Sequence, residues 1–268
     1  MPAITIAAAV HIGVFGLFHP MQFEVRPAPG QVLMVESEGR TSTLEASASA
    51  RLRSPAHVTG RDGREAAFGL SVPGKIQREF HGTLEIRRDG AHLEAIVEMN
   101  REVAVTSIVA AESGDATPLE ARKAQAIVAR SFLEAARGRH RDFDFCDTTH
   151  CQFLREPPLE SSTAFRASAE TRGQVLMYDG RVIAALYSAD CGGHTRALRD
   201  ADWHGSTDAT AYPYFGVECP MRGKAAGHRV GMCQVGAAEM ARRGGGFREI
   251  LAHYFPATVI AESRFEER

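Results

Sequence analysis

The sequence predicts an α+β fold, in which a β-rich N-terminal part is followed by a mixed domain with a central alanine-rich helix, β-hairpins and C-terminal helices. Up to about residue 100, apolar and polar residues alternate between turn signals, as in FEVRPAPG and TLEIRRDGAHLEAIVEM, which is typical of half-buried strands. After Thr117 the apolar spacing becomes helical. We therefore expect a β-rich region over 1–78, a mixed domain over 79–262 and a C-terminal tail over 263–268.

The N-terminus carries an apolar run from Ala3 to Phe18. Its β-branched and aromatic residues favour one or two buried strands. A signal peptide usually has Lys or Arg ahead of its apolar stretch, and no such residue precedes this run. An export signal or membrane anchor is the alternative interpretation.

Two Asp-Gly pairs indicate hairpins. Asp89-Gly90 separates LEIRR from HLEAIVE, and Asp179-Gly180 separates QVLMY from VIAALYS. A type I′ turn needs positive φ at both central residues, which Asp and Gly tolerate. Both pairs therefore predict two-residue turns.

The segment TPLE predicts the start of a long helix. Thr117 as N-cap, Pro118 at the first helical position and Glu120 together resemble a capping box. The helix should end near Gly138, and its many alanines would let other elements approach closely, so we expect it to be central. Two further helices are predicted, over Cys233 to Arg243 and over Phe247 to Phe255.

The composition is ordinary for a globular chain, with 44% hydrophobic and 24% charged residues. These values exclude disordered, collagen-like and coiled-coil classes. The formal net charge of −2 gives no electrostatic argument for nucleic acid as a partner. Five scattered cysteines are too few for a disulfide scaffold.

One cysteine cluster points to a metal. CDTTHCQ contains Cys146, His150 and Cys151, whose soft sulfur and nitrogen atoms suit Zn²⁺, and His140 is the natural fourth ligand. Four protein ligands would close the site, so a structural zinc is expected rather than a hydrolytic one. A disulfide between the two cysteines, or two buried thiols, are the alternatives.

Four sequence clusters occur in an order that resembles the SpoIID/LytB family. They are AES with PLEARKAQAIVARSF, then CDTTHCQF, then TRGQVLMYDG with ALYSADCGGHT, then GHRVGMCQVGA with ILAHYFP. The similar stretch covers roughly residues 80 to 260. The resemblance implies a peptidoglycan lytic transglycosylase, which cleaves the β-1,4 bond between N-acetylmuramic acid and N-acetylglucosamine in peptide-stripped glycan strands and forms a 1,6-anhydro sugar.

The resemblance also implies which residue is catalytic. In the family, the acid/base glutamate lies just before the long helix, which here is Glu112. Glu112 ends the apolar run IVAA, and apolar surroundings raise the pKa of a carboxyl group so that it can act as an acid. A solvent-exposed glutamate without a catalytic function is the alternative. The family usually continues with Met-Pro, whereas Ser113 and Gly114 follow here.

The remaining clusters suggest residues that bind the glycan. Two family motifs are altered, with Cys191 before the glycine pair and Cys233 in place of a serine. Packing functions are the alternative for these residues, and a cysteine-protease pair of His228 and Cys233 is a weak one. The candidates are Tyr187, Gly192, Gly193, Trp203, His228 and Gln234.

Three functions are carried forward. The first is the lytic transglycosylase, the second a non-catalytic relative that binds glycan and stimulates a cell-wall amidase, and the third a zinc hydrolase built on CDTTHCQ. The first two have peptidoglycan glycan strands as partner and imply an extracytoplasmic location in the bacterial cell envelope.

Overall fold

The alternating segments of the N-terminal part form one ten-stranded sheet in the computed structural model, which describes residues 9–200 and 211–263. Its main path has the order β10-β1-β9-β8-β6-β3-β4, while β2 pairs with β5 and β7, and β7 pairs with β8. The strands are β1 (Ala9–Val14), β2 (Phe23–Pro27), β3 (Leu33–Ser37), β4 (Arg40–Leu44), β5 (Ala50–Leu52), β6 (Ala56–Thr59), β7 (Ala66–Val72), β8 (Ile76–Asp89), β9 (His92–Asn100) and β10 (Phe145–Cys146).

The described residues form two compact units, each made of separate stretches of chain. The sheet unit comprises residues 9–107 and 138–157. The helical unit comprises residues 108–137, 158–200 and 211–263. The predicted α+β class, with strands early and helices later, is confirmed.

Part of the apolar N-terminal run is a strand, as predicted. Val10, Ile12 and Val14 of β1 are buried, since alternate residues of a strand face the same side. β1 pairs antiparallel with β9 and parallel with β10. An export function of the run stays a prediction.

The two predicted hairpins differ in their turns. Tyr178 pairs with Arg181, and both Asp179 (φ 49°) and Gly180 (φ 75°) have positive φ, as a type I′ turn requires. At the first hairpin Asp89 instead pairs with His92, so the turn residues are Gly90 and Ala91. The prediction was wrong there by one residue, because Asp89 remains in the strand ladder and Gly90 supplies the positive φ.

One helix was not predicted from the sequence. It lies where the chain leaves the sheet unit and enters the helical unit. α1 (Arg101–Glu112) follows β9 without an intervening turn signal. Ala104, Val105, Ile108 and Val109 are buried, at the spacing of one helical face.

The predicted central helix is α2 (Leu119–Ala135), and twelve of its residues are buried. The predicted capping box is wrong. Pro118 is the N-cap residue, because its ψ of 153° is extended, and it has no side-chain capping bond. Glu120 instead accepts a hydrogen bond from the Phe247 N–H at 2.9 Å.

Several other elements of the helical unit pack against α2.

The two predicted C-terminal helices are confirmed to within one residue. The elements are α3 (Thr163–Glu170), β11 (Gln174–Tyr178), β12 (Arg181–Val182), β13 (Tyr187–Ser188), β14 (Met232–Cys233), α4 (Gln234–Arg242), α5 (Phe247–Tyr254) and β15 (Val259–Glu262). In the described part of the chain, no helix has both the length and the apolar character needed to cross a membrane.

Candidate functional site

Glu112 is the last residue of α1 and is half-buried. The loop after it is fixed by Arg122 of α2, whose guanidinium donates to the carbonyls of Gly114 at 2.8 Å and Thr117 at 3.1 Å. Arg122 is itself buried. The unusual Ser113-Gly114 sequence therefore lies in a loop whose backbone is held by a buried cation.

The Tyr187 hydroxyl is buried beside the Glu112 carboxyl group. Burial raises the pKa of Tyr187 well above its usual value, and the negative charge of Glu112 raises it further. Tyr187 belongs to β13, which pairs in parallel with β14. The phenol therefore stays protonated at any ordinary pH and can donate a hydrogen bond at this site.

Gln234 connects the C-terminal motif to Glu112. Its Nε2 group donates to the Glu112 carbonyl oxygen at 3.1 Å and lies 3.5 Å from the Oε1 atom of Gln125. Gln125 is buried on α2, and its Nε2 group has no hydrogen-bond partner among the described residues. A buried amide of this kind is costly unless a ligand or water satisfies it, which makes Gln125 a site residue that sequence reasoning missed.

His228, in the loop that carries the sequence GHRVG, contacts the strand β13. Its Nδ1 atom accepts the Val230 N–H at 3.1 Å, and its ring also bonds to the Tyr187 backbone. The ring reaches solvent, and its partial desolvation lowers the pKa of His228. The ring is therefore neutral near pH 7, with Nδ1 as the acceptor.

A glycine in the same motif allows two backbone segments to touch. Gly231 has φ of 77°, and a Cβ atom there would overlap the Leu186 carbonyl oxygen. The Met232 N–H donates to that oxygen at 3.0 Å. A glycine is needed here both for the backbone conformation and for the close approach.

The structure brings four predicted residues into one site: Glu112, Tyr187, His228 and Gln234. The glycine pair Gly192 and Gly193 instead packs against Ala225 and Arg222. Trp203 lies outside the described residues.

The predicted metal ligands converge in the sheet unit. His140, Cys146, His150 and Cys151 each offer one ligand atom, and these atoms all lie within 4.8 Å of one another. His140 Nε2 is 3.3 Å from Cys151 Sγ, and His150 Nδ1 is 3.7 Å from Cys146 Sγ. Zn–S bonds of about 2.3 Å and Zn–N bonds of about 2.0 Å separate neighbouring ligand atoms by roughly 3.5 Å, so the set fits zinc.

The thiols of this cluster have different proton affinities. A hydrogen bond from Cys151 lowers the pKa of Cys146 to about 3, against the opposing effect of burial. The same bond raises the pKa of Cys151. All five cysteines are free in the structure, so the alternative of a Cys146–Cys151 disulfide is not the arrangement found.

A cavity of about 390 Å³ adjoins the metal cluster. His140, Cys146 and His150 line it together with the β1 end at Val14 and the exposed Leu17. Glu94 also lines it, and desolvation raises the pKa of that carboxyl group. A volume of this size can hold a small ligand.

A family model described as "Stage II sporulation protein", SpoIID, matches residues 89–178. Residues 89–178 therefore resemble a SpoIID domain. The match covers β9, α1, α2, the metal cluster and β11. The match supports the predicted resemblance to SpoIID, a family related to sporulation and the cell wall.

The chain is also similar to an uncharacterized protein of Brachyspira hyodysenteriae, with 31% identity over 141 residues. The alignment covers 52% of this chain. It covers 37% of the relative, so the chain spans little more than a third of that protein's length.

Proposed function

We propose that this protein is a peptidoglycan lytic transglycosylase with Glu112 as the single acid/base. Its substrate would be the β-1,4 bond between N-acetylmuramic acid and N-acetylglucosamine in peptide-stripped glycan strands. This function requires an extracytoplasmic location, where the cell-wall glycan is. The resemblance to SpoIID supports the substrate class, and the environment of Glu112 supports the chemistry.

One observation carries the proposal: the Glu112 carboxyl group lies beside the buried Tyr187 hydroxyl, while Gln234 binds the Glu112 carbonyl. The Gln234 bond fixes the backbone of the acid at the end of α1. The protonated phenol can donate to the carboxylate or to a sugar oxygen. Such fixed polar groups in a desolvated site favour proton transfer, because little reorganisation is needed during the reaction.

One carboxyl group is sufficient for this reaction. Protonated Glu112 gives its proton to the glycosidic oxygen, and the bond from that oxygen to C1 of muramic acid breaks. The resulting carboxylate then takes the proton of the C6 hydroxyl, whose oxygen bonds to C1 and forms the 1,6-anhydro ring. The nucleophile is internal, so no water is consumed and no second carboxyl group is needed.

His140, Cys146, His150 and Cys151 would hold a zinc ion in the sheet unit. Bound there, the ion would cross-link the 138–157 segment, as structural zinc sites do. Gly192 and Gly193 remain candidate glycan contacts, and so does Trp203.

Replacing Glu112 by glutamine tests the assignment. Glu112→Gln keeps the shape of the side chain but cannot donate or accept the reacting proton. We expect release of 1,6-anhydromuramic products from purified, peptide-free glycan strands to fall by at least about 100-fold. Binding of the strands, measured by co-sedimentation, should be unchanged.

Asp115→Asn is the matched control, because Asp115 is an exposed carboxylate in the same loop. It should retain nearly full activity. Normal anhydro-product release by Glu112→Gln would disprove the assignment of the acid. Glycan binding without cleavage by the unaltered protein, together with stimulation of a cell-wall amidase, would favour the non-catalytic alternative.

A further inference from the structure

The three cysteines outside the CDTTHCQ cluster converge in the helical unit. Cys191, Cys219 and Cys233 are all buried, and their Sγ atoms lie within 4.8 Å of one another. They come from three separate stretches: the loop after β13, the segment before Met221 and the end of β14. The fold therefore gathers three thiols that are remote in sequence.

Polar groups surround these sulfur atoms. The Cys191 N–H points to Cys233 Sγ at 3.3 Å, and the Tyr254 hydroxyl lies 3.3 Å from Cys219 Sγ. Gly236 leaves room for this contact, because a Cβ atom there would overlap both Cys219 Sγ and the Tyr254 hydroxyl. Donors directed at sulfur are typical of sites that stabilise thiolates.

Cys233 also lies at the start of a helix. It is the N-cap residue of α4, a helix of nine residues. The partial positive charge at a helix N-terminus stabilises a thiolate.

A disulfide accounts poorly for this arrangement. A disulfide would join two of the cysteines and leave the third sulfur buried beside it. Three thiolates without a cation would place several like charges in a desolvated space, which is strongly unfavourable. Thiolate sulfur selects soft cations such as Zn²⁺ and Cu⁺, and one Zn²⁺ ion would offset two of the three negative charges.

We infer that Cys191, Cys219 and Cys233 form a second metal site, in which three thiolates bind one soft cation of the Zn²⁺ class. The Tyr254 hydroxyl lies next to this site and is available to the ion or to a sulfur ligand. Because Cys233 directly precedes Gln234, the bound ion would fix the start of α4. The inference does not depend on the proposed glycan-cleaving activity.

The test uses the full chain with the first cluster removed. Cys146→Ser/Cys151→Ser is purified under reducing conditions, depleted of metal, and titrated with Co²⁺ as a spectroscopic substitute for Zn²⁺. We expect one equivalent to bind with intense thiolate-to-cobalt charge-transfer absorption. Adding Cys219→Ala to this background should abolish the absorption.

Val230→Ala in the same background is the matched control. Val230 is fully buried, lies three residues before Cys233 in sequence, and carries no atom that could bind a metal. This variant should lose some stability but keep the cobalt absorption. Loss of the absorption in Cys219→Ala but not in Val230→Ala would support the inference, and absorption that survives Cys219→Ala would overturn it.

The unaltered protein gives an independent measurement if the variants fold poorly. ¹¹³Cd NMR should show two bound-cadmium resonances, with the three-sulfur site at lower field than the site of two sulfurs and two imidazoles. A single resonance from the mixed site, with three free thiols counted after denaturation, would overturn the inference. A disulfide between any two of these three cysteines that persists in the presence of reductant would overturn it equally.

Discussion

His228 accepts a backbone hydrogen bond through Nδ1, so its structural function requires a neutral ring. Protonation would place a hydrogen on Nδ1 and set it against the Val230 N–H. Desolvation already lowers the pKa of the folded His228. In the unfolded chain the ring has its ordinary pKa of about 6.5.

This difference predicts a loss of stability in mild acid. Below about pH 6.5 the unfolded chain binds a proton at residue 228 that the folded protein binds less readily, so acidification favours unfolding. His228→Asn retains an acceptor near the Nδ1 position but cannot titrate in this range. We expect the melting temperature of the unaltered protein to fall more steeply from pH 7.5 to pH 5.5 than that of His228→Asn, and equal slopes would contradict this assignment.

At the residue scale, the sequence predicts the ionisable and motif residues of the site better than it predicts the residues that hold them in place. Glu112 and Gln234 belong to recognisable motifs, whereas Gln125 and Arg122 lie within an apparently ordinary alanine-rich helix. Their functions depend on groups brought to them by other elements. Arg130 is another example, since it is completely buried and donates to the Gln174 carbonyl at 3.0 Å.

The short pair β13 and β14 supports the candidate active site at the element scale. Tyr187 pairs with Met232, and Ser188 pairs with Cys233. Two residues per strand provide little stability on their own. The pair therefore depends on the close contact at Gly231 and on the buried residues around it.

Gly231→Ala should disrupt this pair. The new methyl group meets the Leu186 carbonyl, and a non-glycine residue at φ of 77° is strained. We expect a loss of about 3 kcal/mol in the free energy of unfolding and a marked loss of glycan cleavage. Chemical denaturation and the anhydro-product assay measure the two effects.

Gly180→Ala is the control that separates the effect of backbone strain from the effect of the steric overlap with Leu186. Gly180 has φ of 75°, but a Cβ atom there meets nothing within 4 Å. Its expected cost is about 1 kcal/mol, with cleavage retained. Similar effects of the two variants would show that the Leu186 contact is unimportant.

Elements that have turn or stop residues at their ends could be predicted from the sequence. The Asp179-Gly180 turn, α4 and α5 all have turn or stop residues at their ends. α1 was missed because β9 runs into it without a breaker, and a continuous apolar run has no distinct period. The capping box failed because Glu120 is used by α5, a contact between distant segments that no local pattern contains.

At the scale of the whole molecule, neither unit is continuous in sequence. Residues 138–157, which contain β10 and the metal ligands, belong to the sheet unit, although they follow α2 of the helical unit in sequence. The family match over 89–178 includes parts of both. The matched stretch therefore does not coincide with a folding unit. For this reason, the composition of the two units is difficult to predict from motifs.

Metal removal distinguishes a structural zinc from a catalytic one. We expect chelation of the zinc-loaded protein to lower its melting temperature, because metal binding energy contributes to folding. Glycan cleavage at a fixed temperature should fall only in proportion to the folded fraction, measured by circular dichroism.

Complete loss of cleavage with an unchanged melting curve would contradict that expectation and favour the zinc hydrolase. Cys146→Ser/Cys151→Ser is the control, because its sheet unit has lost two ligands. Chelation should affect its stability less than that of the unaltered protein.

The pairing of β1 with β10 has a consequence for synthesis on the ribosome. β1 emerges more than 100 residues before Phe145–Cys146, the strand that covers its outer edge. Until then the nascent sheet exposes unpaired backbone N–H and C=O groups along β1, which invites pairing with other chains. Chaperones should therefore bind nascent chains that end before residue 146 more strongly than chains that extend past residue 157.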